Sequence, residues 1–211
     1  MKNIIINSGG LDSAVCLGLY DSEYRDEEAI CLAFNYGQVA QKELECAQRL
    51  SDYYNLKLQI LDIREIFKFT NNVLLQNHDY KTNGSPYVPF RNGVILSSAV
   101  TFGMSLYPTE NITVWTGINC GSTVYCDATK RYVKKMDKAV REGTNNLACI
   151  YAPFAKCDKI ETIKNGLEYG VPFHLTWSCH LNEEKPCGIC PSCLGRAEAF
   201  AALGLRDSLI S

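Results

Sequence analysis

Short apolar runs rich in β-branched residues alternate along this chain with longer segments whose apolar positions recur every three or four residues. Ile4, Ile5 and Ile6 form a run too short for a helix, and Gly9-Gly10 stops it. From Leu11 the apolar positions Leu11, Ala14, Val15, Leu17 and Leu19 fall at helical spacing, so the segment reads strand, glycine-rich loop, helix. A second run, AICLAFNYGQ, ends at Asn35-Tyr36-Gly37, and Leu44, Ala47, Leu50 and Tyr54 then give helical spacing again. LKLQILDI supplies a third strand, ITVWTGIN a fourth and FHLTWS a fifth. Strands alternating with helices predict an α/β fold with a doubly wound parallel sheet, whose ligand crevice lies at the carboxyl ends of the strands. Ser8 to Ser13, Tyr36 to Gln38 and Gly117 to Asn119 all fall at such ends. A polar, turn-rich stretch from Asn71 to Pro89 precedes the helical pattern that follows Arg91, and a loop of that length suits a lid or a substrate-side wall.

The loop between the first strand and its helix is built for an anion. Glycines let backbone N–H groups turn into a concavity, and the N-terminus of the following helix adds partial positive charge. No lysine lies between Ser8 and Ser13, so this is no Walker loop, and the dinucleotide pattern G-x-G-x-x-G is absent there too. What remains, Ser8-Gly9-Gly10-Leu11-Asp12-Ser13, resembles the pyrophosphate loop of the PP-loop ATP pyrophosphatases, the adenine nucleotide alpha hydrolase-like proteins that adenylate a carboxylate or carbonyl oxygen.

Composition narrows the classes. The 211 residues suffice for one α/β domain with a small appendage, which we place at 1–175 for the ATP-pyrophosphatase domain and 176–211 for a C-terminal segment packed on it. A net charge of −2 without any Lys/Arg block argues against an extended nucleic-acid surface. No apolar span approaches the roughly twenty residues of a membrane helix, and the N-terminus runs straight into the first strand, so a cytoplasmic protein is expected.

Eleven cysteines fall into two groups. Seven are scattered, and most of these read as small buried hydrophobes. The other four, Cys179, Cys187, Cys190 and Cys193, sit in CHLNEEKPCGICPSC, where Pro186, Gly188 and Pro191 permit tight knuckle turns. Four thiolates at this spacing match the tetrahedral coordination of structural Zn²⁺, while an iron–sulfur cluster could also use all four. Such a closed site folds the C-terminal segment and brings Arg196 and the last helix toward the ligand pocket.

In order and spacing these segments resemble the 7-cyano-7-deazaguanine synthase (QueC) family over nearly the whole chain. The residues that carry the resemblance are Ser8 to Ser13, Tyr36-Gly37-Gln38 with Glu43-Leu44, Val88-Pro89 with Arg91-Asn92, and Gly117-Ile118-Asn119. Pro153, Asp158-Lys159 with Glu161-Thr162, Trp177-Ser178-Cys179, and Cys187-Gly188-x-Cys190-x-x-Cys193-x-x-Arg196 complete the set. The resemblance implies that ATP activates the carboxylate of 7-carboxy-7-deazaguanine, that ammonia gives the amide, and that a second activation yields the nitrile. It implies Mg²⁺ beside ATP, a homodimer, and roles for matched residues. By this resemblance Asp12, Ser13 and Lys159 are expected to be catalytic. It likewise implies that Ser8, Gly9, Gly10, Leu11, Asp12, Ser13, Tyr36, Gly37, Gln38 and Gly117 bind the nucleotide, and that Arg91, Asn92, Asn119 and Arg196 serve the substrate side. Read from the residues alone, Arg91 at a helix start suits a bound carboxylate or phosphate, or solvated surface.

The chain also departs from the family pattern. Cys120 to Thr129 reads CGSTVYCDAT where the family has an acidic residue and then Ser-Gly-Tyr-Pro-Asp-Cys-Arg, and only Tyr125 and Asp127 survive. Phe90 replaces the glycine before Arg-Asn, Asn35 replaces an aspartate, and Val39-Ala40 replaces a basic pair. ATP-handling segments are kept and the acceptor side is altered. We therefore expect a QueC-like ligase that forms an amide with ammonia or another amine, including an amine on a protein. The alternatives are the ordinary nitrile synthase, or a non-catalytic nucleotide-binding module or tRNA-thiolating relative.

Overall fold

The computed structural model describes residues 1–75, 87–119, 125–181 and 183–209. Five strands form one wholly parallel sheet: β1 (Lys2–Ile6), β2 (Glu28–Asn35), β3 (Lys57–Asp62), β4 (Ile112–Trp115) and β5 (Ala148–Tyr151). Their order in space is β3-β2-β1-β4-β5. Register runs Ile4 beside Ile30 on one side and Val114 on the other.

Because successive side chains of β1 alternate faces, its isoleucines divide between two cores. Ile5 packs with α1 (Leu11–Glu23), α2 (Lys42–Tyr53), α6 (Lys159–Glu168) and α7 (Pro191–Ala202) through Val15, Leu50, Ile163 and Phe200. Ile4 and Ile6 pack on the opposite face with α4 (Arg91–Leu106) and α5 (Lys130–Gly143) through Leu96, Val100, Val133 and Val140. A one-turn helix α3 (Arg64–Phe67) adds Phe67 to that second core. The doubly wound arrangement is thus present, with β1 and β4 at the point where strand order reverses.

One strand differs from expectation. The FHLTWS segment is not the fifth strand: Phe173–Leu175 form a single 3₁₀ turn, closed by the Leu175 N–H donating to the Pro172 carbonyl at 2.9 Å. The Trp177 N–H instead donates to the Gly9 carbonyl at 2.8 Å, which lays this segment across the glycine-rich loop. The fifth position belongs to Ala148–Tyr151, paired with β4. Asn71 to Leu75 are described, but the rest of the expected lid up to Ser85, with Pro86, lies outside the described residues, as do Cys120 to Val124 of the altered segment. No helix among the described residues is long and apolar enough to cross a membrane.

Candidate active site

The carboxyl ends of β1, β2 and β4 open into a cavity of about 380 Å³. It continues into a second lobe of about 260 Å³. The first lobe has an apolar wall of Phe34, Ile95, Leu96 and Ile118, and the second is walled by polar groups that include Lys159, Ser178 and His180.

The loop after β1 is braced by its own side chains. The Ser8 N–H donates to Ser13 Oγ at 3.2 Å, the Gly9 N–H to Asn7 Oδ1 at 3.0 Å, and the Gly10 N–H to Ser8 Oγ at 3.3 Å. Ser13 Oγ in turn donates to the Gly10 carbonyl at 3.0 Å. Gly10 is the N-cap of α1 and places no side chain over the first-turn N–H groups, which leaves that end of the helix open to an anion. Two glycines are required by contact: a Cβ on Gly9, whose φ is +74°, would lie 2.0 Å from the Glu43 carbonyl oxygen, and one on Gly117 would lie 2.7 Å from the Asp12 backbone. The loop is therefore clamped between α2 and the end of β4.

A second helix N-terminus faces the same space. Asp158 and Glu161 form a reciprocal capping box that starts α6 at Lys159. A lysine in the first turn opposes the helix dipole, and here it is offset by Asp12, whose carboxylate oxygens accept from Lys159 Nζ at 2.9 and 2.7 Å. Arg91 opens α4, donates to the Tyr36 hydroxyl at 3.0 Å and stacks 5.1 Å above that ring. Burial pushes the Tyr36 phenol up to about 12 despite the nearby guanidinium. Two helix ends, Lys159 and Arg91 together suit a strongly anionic ligand.

Several expected ligand contacts act as braces in this structure. Gln38 accepts from the Tyr36 N–H and donates to the Phe34 carbonyl. The Asn92 amide donates to the Asp127 carbonyl at 3.0 Å, and the Asn119 amide to the Asp158 carbonyl and Thr162 Oγ1. All three line the cavity while their amide donors hold its walls.

Arg196 corrects the expectation that it faces ligand anions. It is 2% exposed, and its five donors go to Asp207, Thr176, Ser178 and the Phe173 carbonyl. With no donor left over, it ties α7 to the chain on either side.

The four cysteines form a cluster that fits a zinc site, with all Sγ atoms within 4.8 Å of one another. N–H groups of Leu181, Cys187 and Cys190 donate to cysteine sulfurs at 3.4 Å, which favours thiolates. The cluster packs against Trp177, Cys46 and Ala40. From its last knuckle the chain enters α7, and Ser192 there reaches both lobes of the cavity.

Residues given no role by sequence reasoning also line the cavity: Glu43, Thr116, Tyr125 and Ser192. Glu43-Leu44 and Tyr125 stood out as matched positions without an assigned task. Desolvation pushes the Glu43 carboxyl up to about 7 against the pull of Arg91. Ser192, set between Cys190 and Cys193 of the cluster, carried no signal of its own.

Comparison with known proteins follows the same geometry. The family model described as Queuosine biosynthesis protein QueC matches residues 2–204. The 7-cyano-7-deazaguanine synthase 2 of Colwellia psychrerythraea is 34% identical over 98% of this chain and 96% of its own. The 7-cyano-7-deazaguanine synthase of Picrophilus torridus is 35% identical over 99% of this chain and 90% of its own. Among solved structures, the U34-tRNA thiolase NcsA from Methanococcus maripaludis, with its [4Fe-4S] cluster, has a TM-score of 0.53 at 16% identity, covering 94% of this chain and 64% of that one. NMN synthetase from Francisella tularensis has a TM-score of 0.53 at 15% identity, covering 97% and 77%. At such identities the two structures speak for the fold alone.

Proposed function

The chain belongs to the QueC family of queuosine biosynthesis proteins, and from that premise we propose that it is an ATP-dependent C–N ligase converting 7-carboxy-7-deazaguanine and ammonia to 7-cyano-7-deazaguanine. In the proposed reaction the carboxylate attacks the α-phosphorus of ATP and releases pyrophosphate. Ammonia then displaces AMP to give the amide. The amide oxygen then attacks the α-phosphorus of a second ATP and releases a second pyrophosphate, and loss of AMP and both N–H protons leaves the nitrile. Activation is needed because a carboxylate resists nucleophiles, whereas AMP is a good leaving group.

The observation that carries this reading is the convergence of two helix N-termini and Lys159 on one cavity at the switch point of the sheet. The α1 N-terminus would hold pyrophosphate, and Lys159 would neutralise charge that grows on it as it departs. The apolar lobe suits an adenine ring, and Arg91 a carboxylate or phosphate. Asp12 offers oxygen donors of the kind Mg²⁺ takes, and the ion would supply further charge neutralisation. Sulfurs around zinc at about 2.3 Å stand about 3.8 Å apart, close to the 4.0 Å between Cys187 and Cys193. That spacing supports a single structural zinc rather than an iron–sulfur cluster. The homodimer implied by the resemblance belongs to the same proposal and is checked by sedimentation.

The names of the relatives favour the nitrile over a reaction that ends at an amide. One feature favours the second reading, an amide to another amine. Phe90 holds a left-handed backbone (φ +53°) beside Arg91, a strained position for a bulky residue and one that glycine would fill without cost. Mass spectrometry of the products with ATP, Mg²⁺, 7-carboxy-7-deazaguanine and ammonia separates the two. Nitrile with two AMP per product is expected. Amide that accumulates with one AMP would overturn the nitrile assignment in favour of the second reading.

A further inference from the structure

We infer that Glu43 is the acid–base group for the nitrogen nucleophile, taking the proton from the amine that attacks the acyl adenylate and from the amide nitrogen when the nitrile forms. The inference rests on the adenylation reading above and adds a residue to it. In the first step the amine lone pair forms the C–N bond, the C–O bond to AMP breaks with its electron pair, and the surplus proton passes to Glu43. In the second, after Glu43 has returned that proton to solvent, adenylation of the amide oxygen leaves a C=NH₂⁺ group, which gives one N–H proton to solvent and the other to Glu43 as the C–O bond to AMP breaks with its electron pair.

Placement is the first argument. Glu43 lines both lobes, as do Asp12, Tyr36, Arg91 and Tyr125, so it stands where the apolar lobe meets the polar one. With adenosine in the first lobe and the acceptor base in the second, the α-phosphate and the reacting carboxyl meet at this junction. The backbone of Glu43 is fixed there by its contact with Gly9.

Availability is the second. Only two carboxylates, Asp12 and Glu43, line the cavity among the described residues, and Asp12 is held by Lys159. No hydrogen bond or ion pair engages the Glu43 carboxylate among the described residues. The groups facing it are Arg91 from α4, Tyr36 from the loop after β2, the Asp12–Lys159 pair from α1 and α6, Tyr125, and His180 from the knuckle. Desolvation outweighs Arg91 and holds the carboxyl near neutrality, where a general base works best. Ammonium predominates over ammonia at that pH and has no lone pair to attack with.

The test is Glu43→Gln in the full chain, read by three assays. Carboxylate-dependent ATP–pyrophosphate exchange follows adenylation, amide and nitrile formation follow amination, and hydroxylamine, already neutral at pH 7, traps the acyl adenylate as a hydroxamate. Exchange should stay within about threefold of wild type while ammonia-dependent product falls roughly 100-fold, and trapping should fall less than product because the adduct of the weakly basic hydroxylamine gives its proton to water more readily. Glu43→Asp should recover part of that loss. For the wild type, kcat/KM expressed per free ammonia should rise through an apparent pKa near 7, and in Glu43→Gln it should be flat. Amination by Glu43→Gln at the wild-type rate would overturn the inference, as would loss of exchange and amination together, which would place Glu43 on the nucleotide or its metal. Absence of exchange in the wild type would overturn the adenylation reading, and this inference with it.

Discussion

Lys159 and Arg196 are both cations drawn from matched motifs, and the structure gives them opposite fates. Lys159 reaches across 147 positions to Asp12 at the cavity, so Lys159→Met should cut pyrophosphate exchange by roughly 100-fold or more while leaving the thermal midpoint nearly unchanged, since both side chains are partly exposed to solvent. A variant that exchanges normally would remove Lys159 from the reaction. Arg196→Ala strands the buried Asp207 carboxylate and should cost on the order of 3–5 kcal/mol in denaturant unfolding. Arg196→Met with Asp207→Leu should cost much less, and equal losses in both would show that the charge pair is not the cause. The sequence makes Lys159 legible because it opens a capped helix. Nothing in the spacing shows that Arg196 meets its acceptor eleven residues on. Glu43 adds a pH dependence. Its carboxyl is raised from an ordinary 4.5 to about 7, so between those values the native state keeps a proton that the unfolded state has lost. Stability therefore falls as pH rises through this window. Glu43→Gln should gain more over wild type at pH 8 than at pH 5 in urea midpoints, and an equal gain at both would contradict the shift.

At the scale of elements, the apolar runs of β1, β2 and β4 are legible because these central strands are buried. β5 is not, because unlike the equally short β4 it is only partly buried and follows Asn145 and Asn146, both at positive φ, so the pattern reads as a turn. FHLTWS has the opposite fault: its alternation suggests a strand, but Pro172 starts a tight turn and Trp177 is committed to the loop at Gly9. That commitment couples the cysteine cluster to the nucleotide side. Chelation of the metal, or Cys190→Ser, should release the Trp177 contact and shift tryptophan fluorescence. It should also weaken ATP binding although no ligating cysteine would touch ATP. Metal-free protein with wild-type nucleotide affinity would separate the two regions.

For the whole molecule, the order β3-β2-β1-β4-β5 places the site without reference to any side chain, since chains wound this way open a crevice where the strand order reverses. This explains why the three expected loop ends converge. Which side chains turn into the crevice was less legible, because Asn92 and Asn119 donate to groups 35 to 43 residues away that only the folded chain brings near, and Gln38 closes a local turn on the Phe34 carbonyl. The central claim, that this crevice adenylates a carboxylate, is tested most directly by ATP–pyrophosphate exchange without ammonia. Labelled pyrophosphate should enter ATP only when 7-carboxy-7-deazaguanine is present. No exchange with the carboxylate, or equal exchange without it, would contradict the account.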